Sequence, residues 1–285
     1  MSTGSLDEKI SERRNFFVSL LNLDRSDEDR FPPPLPFDGK SVCSSIDHTF
    51  LKPDATFSDV EKLCLEAVEN DFMAVCINGT WASKAFSLIE KSNVRLCCVV
   101  GFPLGASCTM VKTLETQLAI EAGADEIDMV IPIGSLKDSD FENVYRDIFA
   151  VVHTASKQKS RRGNEIVVKV ILETCLLSEQ EIIDAAILAE LAGAHFVKTS
   201  TGFSIGGATL EAVKIMKRVV GNRALVKASG GIRTLESARM YIDAGASRIG
   251  TSSGVTIVSE ARNGLQTVIT LSSGDSSSGG FGTSY

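Results

Sequence analysis

The 285-residue sequence predicts an α/β fold, a (β/α)8 TIM barrel with an additional N-terminal helix. Three observations lead there. Eight short runs rich in β-branched and apolar residues are spaced along the chain, amphipathic segments lie between them, and three stretches echo one another: EAGADEIDMV, LAGAHFVKTS and DAGASRIGTS. Each echo ends a helix at a glycine, turns within two or three residues and starts a strand. Glycine suits that helix end because it can take the left-handed conformation that terminates a helix. Near-continuous apolar strands suit a parallel barrel, whose strands are buried on both faces. A doubly wound open sheet is the alternative, since it is built from the same alternating units.

Residues 7–22 carry apolar side chains at helical spacing (Ile10, Phe17, Leu20, Leu21), after which RFPPPLPFDG breaks regular structure. Residues 1–42 are therefore read as a helix and proline-rich lead-in, 43–271 as the barrel and 272–285 as a flexible Gly/Ser tail. Strands are predicted at 45–51, 73–78, 95–102, 126–132, 165–173, 195–200, 224–230 and 247–252. Helices are predicted at 58–70, 111–123, 178–193 and 234–245, where apolar residues recur at i, i+3 and i+4 and several segments open on a Ser or Thr N-cap. The outer helices show no patch assignable to an interface.

Composition narrows the function. With 44% apolar and 23% charged residues the chain has material for a large core, and its net charge of -7 repels nucleic acid rather than attracting it. The seven cysteines are odd in number and several lie in apolar runs (AVCIN, RLCCVV), which fits buried reduced thiols better than disulfides. No CxxC pair occurs and there are three histidines (His48, His153, His195), so no metal site is expected. The N-terminus carries acids where a targeting peptide is basic or acid-poor, and no apolar stretch reaches membrane-spanning length. A cytoplasmic protein without a membrane partner is the expectation.

Three strands each hold a lysine in mid-run: VVKVI, FVKTS and LVKAS, with Lys169, Lys198 and Lys227. Burying an ammonium costs several kcal/mol unless it is paired or deprotonated. Lys198 and Lys227 fall on adjacent strands, about 5 Å apart in backbone, shortly before the strand ends where barrel active sites lie. Two such close ammonium groups disfavour each other's charge, so one is expected as a neutral, nucleophilic amine able to form a Schiff base with a carbonyl compound. Ionic struts are the structural alternative. Asp128 on the fourth strand is the expected acid, with Glu126 on the same face and Asp128 deeper in an apolar run; Lys227 or Lys169 would compensate it. Asp47 is a weaker case of the same kind. The glycine-rich segments STGF, SGGIRT and GTSSG follow strands six, seven and eight, where barrels commonly hold phosphate against backbone N–H groups and a helix N-terminus.

Together IDHTFLKPDAT, VCIN, VVGFPLG, AGADEIDMVI, VKVILET, AGAHFVKTSTGF, VKASGGIRT and AGASRIGTSSG resemble, in order over residues 43–257, the deoxyribose-phosphate aldolases of the DeoC type, which are class I aldolases. The resemblance implies reversible cleavage of 2-deoxy-D-ribose 5-phosphate into D-glyceraldehyde 3-phosphate and acetaldehyde, with no metal or other cofactor. It assigns the Schiff base to Lys198, its activation to Lys227, the proton relay to Asp128, and completion of the polar cluster to Lys169. It also implies substrate contacts at Asp47, Cys76 and Thr201, and a phosphate site at Gly202, Gly230, Gly231, Ser252 and Ser253. The C-terminal Tyr285 is expected to reach the barrel mouth on its tail and help move a proton, and a homodimer or larger homo-oligomer is expected. Two other readings compete: isomerases or synthases that use carboxylate pairs, which need no paired strand lysines, and a catalytically inactive scaffold, against which the intact lysine and aspartate set argues.

Overall fold

The computed structural model describes residues 5–24, 29–31 and 42–273, with side chains as far as Asn263. Eight parallel strands close in chain order: β1 Ile46–Phe50, β2 Ala74–Asn78, β3 Arg95–Val100, β4 Glu126–Val130, β5 Val167–Ile171, β6 Phe196–Lys198, β7 Leu225–Ser229 and β8 Arg248–Thr251. Closure is made by β1 against β8, with Asp47 opposite Gly250. This settles the choice between barrel and open sheet. The helices are α1 Leu6–Leu20, α2 Phe57–Glu69, α3 Ala82–Ile89, α4 Thr109–Ala122, α5 Ile133–Lys137, α6 Phe141–Ser156, α7 Glu179–Leu191, α8 Leu210–Val220, α9 Leu235–Asp243 and α10 Gly254–Ser273.

Local chemistry accounts for the element ends. Thr56, Ser178 and Thr234 close capping boxes on α2, α7 and α9, satisfying N–H groups that have no partner within the helix. The echoed glycines do what the pattern predicts: Gly123, Gly193 and Gly245 all have left-handed φ, between +88° and +119°. The strand predicted at 165–173 is shorter than expected because Glu173 turns into the left-handed region (φ 59°, ψ 58°) and leaves the ladder.

Alternation along each strand divides the core. Outward residues such as Ile127, Met129, Val168, Val170, Val197 and Val226 pack under the helices in one continuous buried cluster. That burial is the main favourable term in folding. α7 is buried along most of its length, at residues 182–190, because α1 lies over it. Phe17 of α1 is fully buried and meets Phe141 edge-on at 5.0 Å, and Arg13 forks onto Asp184 at 2.7 and 2.8 Å. Arg14 pairs with Glu190. The N-terminal helix is thus part of the wall of the fold.

Candidate active site

The inward-facing residues are of two kinds. On the side of β2 and β3 they are apolar or thiol: Leu51, Ala74, Cys76, Cys97 and Val99, with Phe102 packed on them. On the remaining strands the interior is dominated by charged side chains, with Phe196 and Ser229 among them. Asp47 on β1, Glu126 and Asp128 on β4, Lys169, Lys198 and Lys227 on β5 to β7, and Arg248 on β8 are all buried. Register places them beside one another: Asp128 opposite Lys169, Lys198 opposite Lys227, Lys227 opposite Arg248.

Every buried carboxylate in this group touches more than one cation. Asp128 Oδ1 accepts from Lys169 Nζ at 2.8 Å, while its Oδ2 accepts from Lys198 Nζ at 2.7 Å and from Lys227 Nζ at 2.8 Å. Asp47 is gripped by Lys227 and by Arg248 Nε at 2.8 Å. Glu126 is held by Lys169 at 2.5 Å and Arg248 at 3.0 Å. Burial alone opposes each of these charges, but the partners outweigh it. Against burial, Lys169, Lys198 and Lys227 hold the Asp128 carboxyl well below the usual carboxylate range; against burial, Asp128 and Asp47 hold Lys227 above the ordinary lysine value.

Lys227 stays charged, because one carboxylate oxygen contacts both it and Lys198 and Asp47 adds a second negative charge beside it. Glu126, the first residue of β4, lies nearer the floor of the barrel and Asp128 nearer the mouth, and both are fully buried. What separates the lysines is access. A cavity of about 630 Å³ opens over the C-terminal ends of the strands, and of the interior cations only Lys198 lines it. Lys169 and Lys227 are sealed beneath.

Thr201, Gly202, Gly230, Gly231 and Ser252, expected at the substrate and its phosphate, line the same cavity. Asp47 and Cys76 do not. Both are fully buried, Asp47 because Lys227 and Arg248 occupy its oxygens and Cys76 because it faces the apolar side of the interior. Ser253 stands just behind Ser252, its N–H donating to the Thr251 hydroxyl at 2.9 Å at the start of α10. Tyr285 lies outside the described residues. Cys76, Cys97 and Asp128 bring ligand-type atoms within 4.8 Å of one another, but Asp128 is already shared among three ammonium groups and Cys97 donates to it at 3.1 Å.

Two interior residues escaped the sequence reading. Arg248 carried the same signal as the lysines, a charge inside a strand run, in SRIGTS. Gly250 carried none: a Cβ there would lie 2.8 Å from Ser229 Cβ and 3.1 Å from Lys227 Cε, so this glycine makes room for the Lys227 stem.

A model of the DeoC/LacD family aldolases matches residues 41–260. A deoxyribose-phosphate aldolase of Natranaerobius thermophilus is 54% identical over 223 residues, covering 78% of this chain and 98% of its own length. That of Thermococcus gammatolerans is 53% identical over 227 residues, 79% of this chain and 98% of its own. Among solved structures, the tetrameric deoxyribose phosphate aldolase of Aeropyrum pernix superposes with a TM-score of 0.71 at 32% identity, over 92% of this chain and 99% of its own.

Proposed function

The chain belongs to the DeoC/LacD family of aldolases, and on that footing we propose that Lys198 is its Schiff-base residue. The reaction is the reversible cleavage of 2-deoxy-D-ribose 5-phosphate to D-glyceraldehyde 3-phosphate and acetaldehyde. The Lys198 amine adds to the aldehyde carbon of the open-chain sugar, and loss of water leaves an iminium ion. Removal of the proton on the C3 hydroxyl breaks the C2–C3 bond. Its electron pair moves into the iminium, so that glyceraldehyde phosphate leaves and an enamine stays on Lys198. Protonation at C2 followed by hydrolysis releases acetaldehyde and restores the amine.

One observation carries this reading: Lys198 is the interior cation that lines the cavity while its Nζ sits 2.7 Å from a buried carboxylate. The charge count supports it. The interior holds Lys169, Lys198, Lys227 and Arg248 against Asp47, Glu126 and Asp128, so one proton can leave and the interior becomes neutral. Asp128 Oδ2 contacts both Lys198 and Lys227, which supports the proton-relay role, and Lys169 steadies the other oxygen. The cavity-lining Thr201, Gly202, Gly230, Gly231 and Ser252, with Ser253 and the N-terminus of α10 next to them in the chain, are the phosphate end in this reading. The test is borohydride reduction in the presence of acetaldehyde. A mass gain of one ethyl group at Lys198 is expected; no gain, or a gain on another lysine, overturns the assignment.

The reaction is carried out by a homodimer or larger homo-oligomer. α4 supports this, because Met110, Val111, Leu114 and Leu118 lie exposed along one face of it, a patch that the sequence reading did not find. Light scattering on the purified chain checks it, a monomer being the contrary result. Among the described residues no helix is long and apolar enough to cross a membrane. A cytoplasmic location belongs to this reading, and a fluorescent fusion checks it.

A further inference from the structure

Among the described residues, the non-glycine residues with left-handed φ are Asn22, Asp71, Ser139 and Glu173. The first three are short polar side chains on the surface, where that conformation is common. Glu173 is buried, with 2% of its surface exposed, and its carboxylate makes no ion pair among the described residues. A strained backbone and a buried charge without a countercharge are both unfavourable, and such combinations persist where the surroundings enforce them.

Both anomalies serve one contact. The Glu173 carboxylate accepts the Thr201 N–H at 3.2 and 3.4 Å and also the Thr201 hydroxyl, and Cys175 Sγ lies 3.8 Å away. The Thr201 hydroxyl in turn accepts the Phe203 N–H at 3.0 Å. The turn Thr201–Gly202–Phe203 is therefore fastened through Thr201 to Glu173, just past β5, and closed on itself by the Phe203 bond to the Thr201 hydroxyl, with Gly202 at φ +83° and open space where a Cβ would be. The returning chain is held as well, since a Cβ on Gly206 would lie 2.9 Å from Cys175 Cβ. All three turn residues line the cavity, whereas Glu173 does not.

We propose that Glu173 is a positioning residue: by gripping Thr201 it holds the turn after β6 in the shape that binds the phosphate end of the sugar, and so sets affinity for phosphorylated over unphosphorylated substrate. This rests on the assignment of the phosphate end above. Removing the carboxylate releases the turn while leaving Lys198, Asp128 and Lys227 in place, so binding and carbon chemistry separate.

The experiment compares Glu173→Ala and Glu173→Gln with the unaltered protein. It reads kcat and KM for deoxyribose 5-phosphate, KM for unphosphorylated deoxyribose, inhibition by inorganic phosphate, and exchange of acetaldehyde methyl protons with solvent. Glu173→Ala is expected to raise KM for the phosphorylated sugar and the inhibition constant for phosphate by about tenfold or more, with kcat and proton exchange within about twofold. Glu173→Gln keeps one oxygen acceptor for Thr201 and is expected to lose about threefold, a partial rescue. Equal KM losses for both sugars, or an unchanged KM in a folded Glu173→Ala, overturn the proposal. If Glu173→Ala does not fold, a Glu173→Gln protein that matches wild type in KM and phosphate inhibition overturns it. Failure of the phosphate assignment itself is visible separately, as unaltered protein that phosphate does not inhibit and that binds both sugars equally.

Discussion

The same eight strands present two opposite surfaces. On β4, Ile127 and Met129 face the helices while Glu126 and Asp128 face the interior; on β5, Val168 and Val170 face out and Lys169 faces in. The outer shell contributes stability by burying apolar area, roughly 25 cal/mol per Å². The interior buries seven charges whose desolvation its ion pairs do little more than offset. A barrel filled with leucine and valine would need no such pairs, so the difference teaches that the interior is organised for chemistry and the shell for holding it in place.

The largest expected effect tests the interior. Lys198→Ala should lower turnover by about 10³-fold or more and abolish borohydride trapping, because the covalent route is lost. Its melting temperature should stay near wild type, since Asp128 keeps Lys169 and Lys227. A folded variant with near-normal turnover would break the contrast at its centre.

Next comes Lys227→Leu, which strips one cation from both Asp128 and Asp47 and should destabilise the fold by about 3–5 kcal/mol in denaturant unfolding. The pH dependence has a definite sign. Asp128 is held below its ordinary value, so its stabilising contribution is present above the unfolded carboxylate range and lost as pH falls through the folded value. Lys227 is held above its ordinary value, so its contribution is complete below the unfolded lysine range and lost as pH rises through the folded value. Without Lys227, the Asp128 carboxyl moves back toward its usual range. Acid unfolding should then begin at a higher pH than in wild type, and an unmoved acid limb would mean that Lys227 does not hold Asp128.

The shell gives the converse. Ile127→Ala should cost about 2–5 kcal/mol in the same unfolding experiment while kcat at a temperature where the protein is folded stays within about twofold. A large loss of kcat would show that shell and interior are not separable. The smallest effect lies between them: Gly250→Ala pushes a methyl against Ser229 and the Lys227 stem and should cost about 1–3 kcal/mol, with a modest loss of activity.

Several features were determined by the sequence alone. Strand positions were legible because β-rich runs separated by capped amphipathic helices obey local rules, and the echoed glycines mark helix ends by a requirement on φ that one residue satisfies. Lys169, Lys198 and Lys227 were legible as anomalies, because a charge in an apolar strand has to be explained wherever the strand ends up. Partners were another matter. Lys227 meets Asp47 across 180 positions of sequence, Arg248 meets the same residue across 201, and Arg14 of the N-terminal helix meets Glu190 across 176. Closure of β1 against β8 and the stagger of the strands decide those pairings. So only the tertiary structure could place one oxygen of Asp128 between two lysines, leave Lys198 as the interior cation that opens on the cavity, and withdraw Asp47 and Cys76 from it. Local propensity acts over a few residues, whereas a buried charge is compensated by whatever the closed barrel brings within about 3 Å of it.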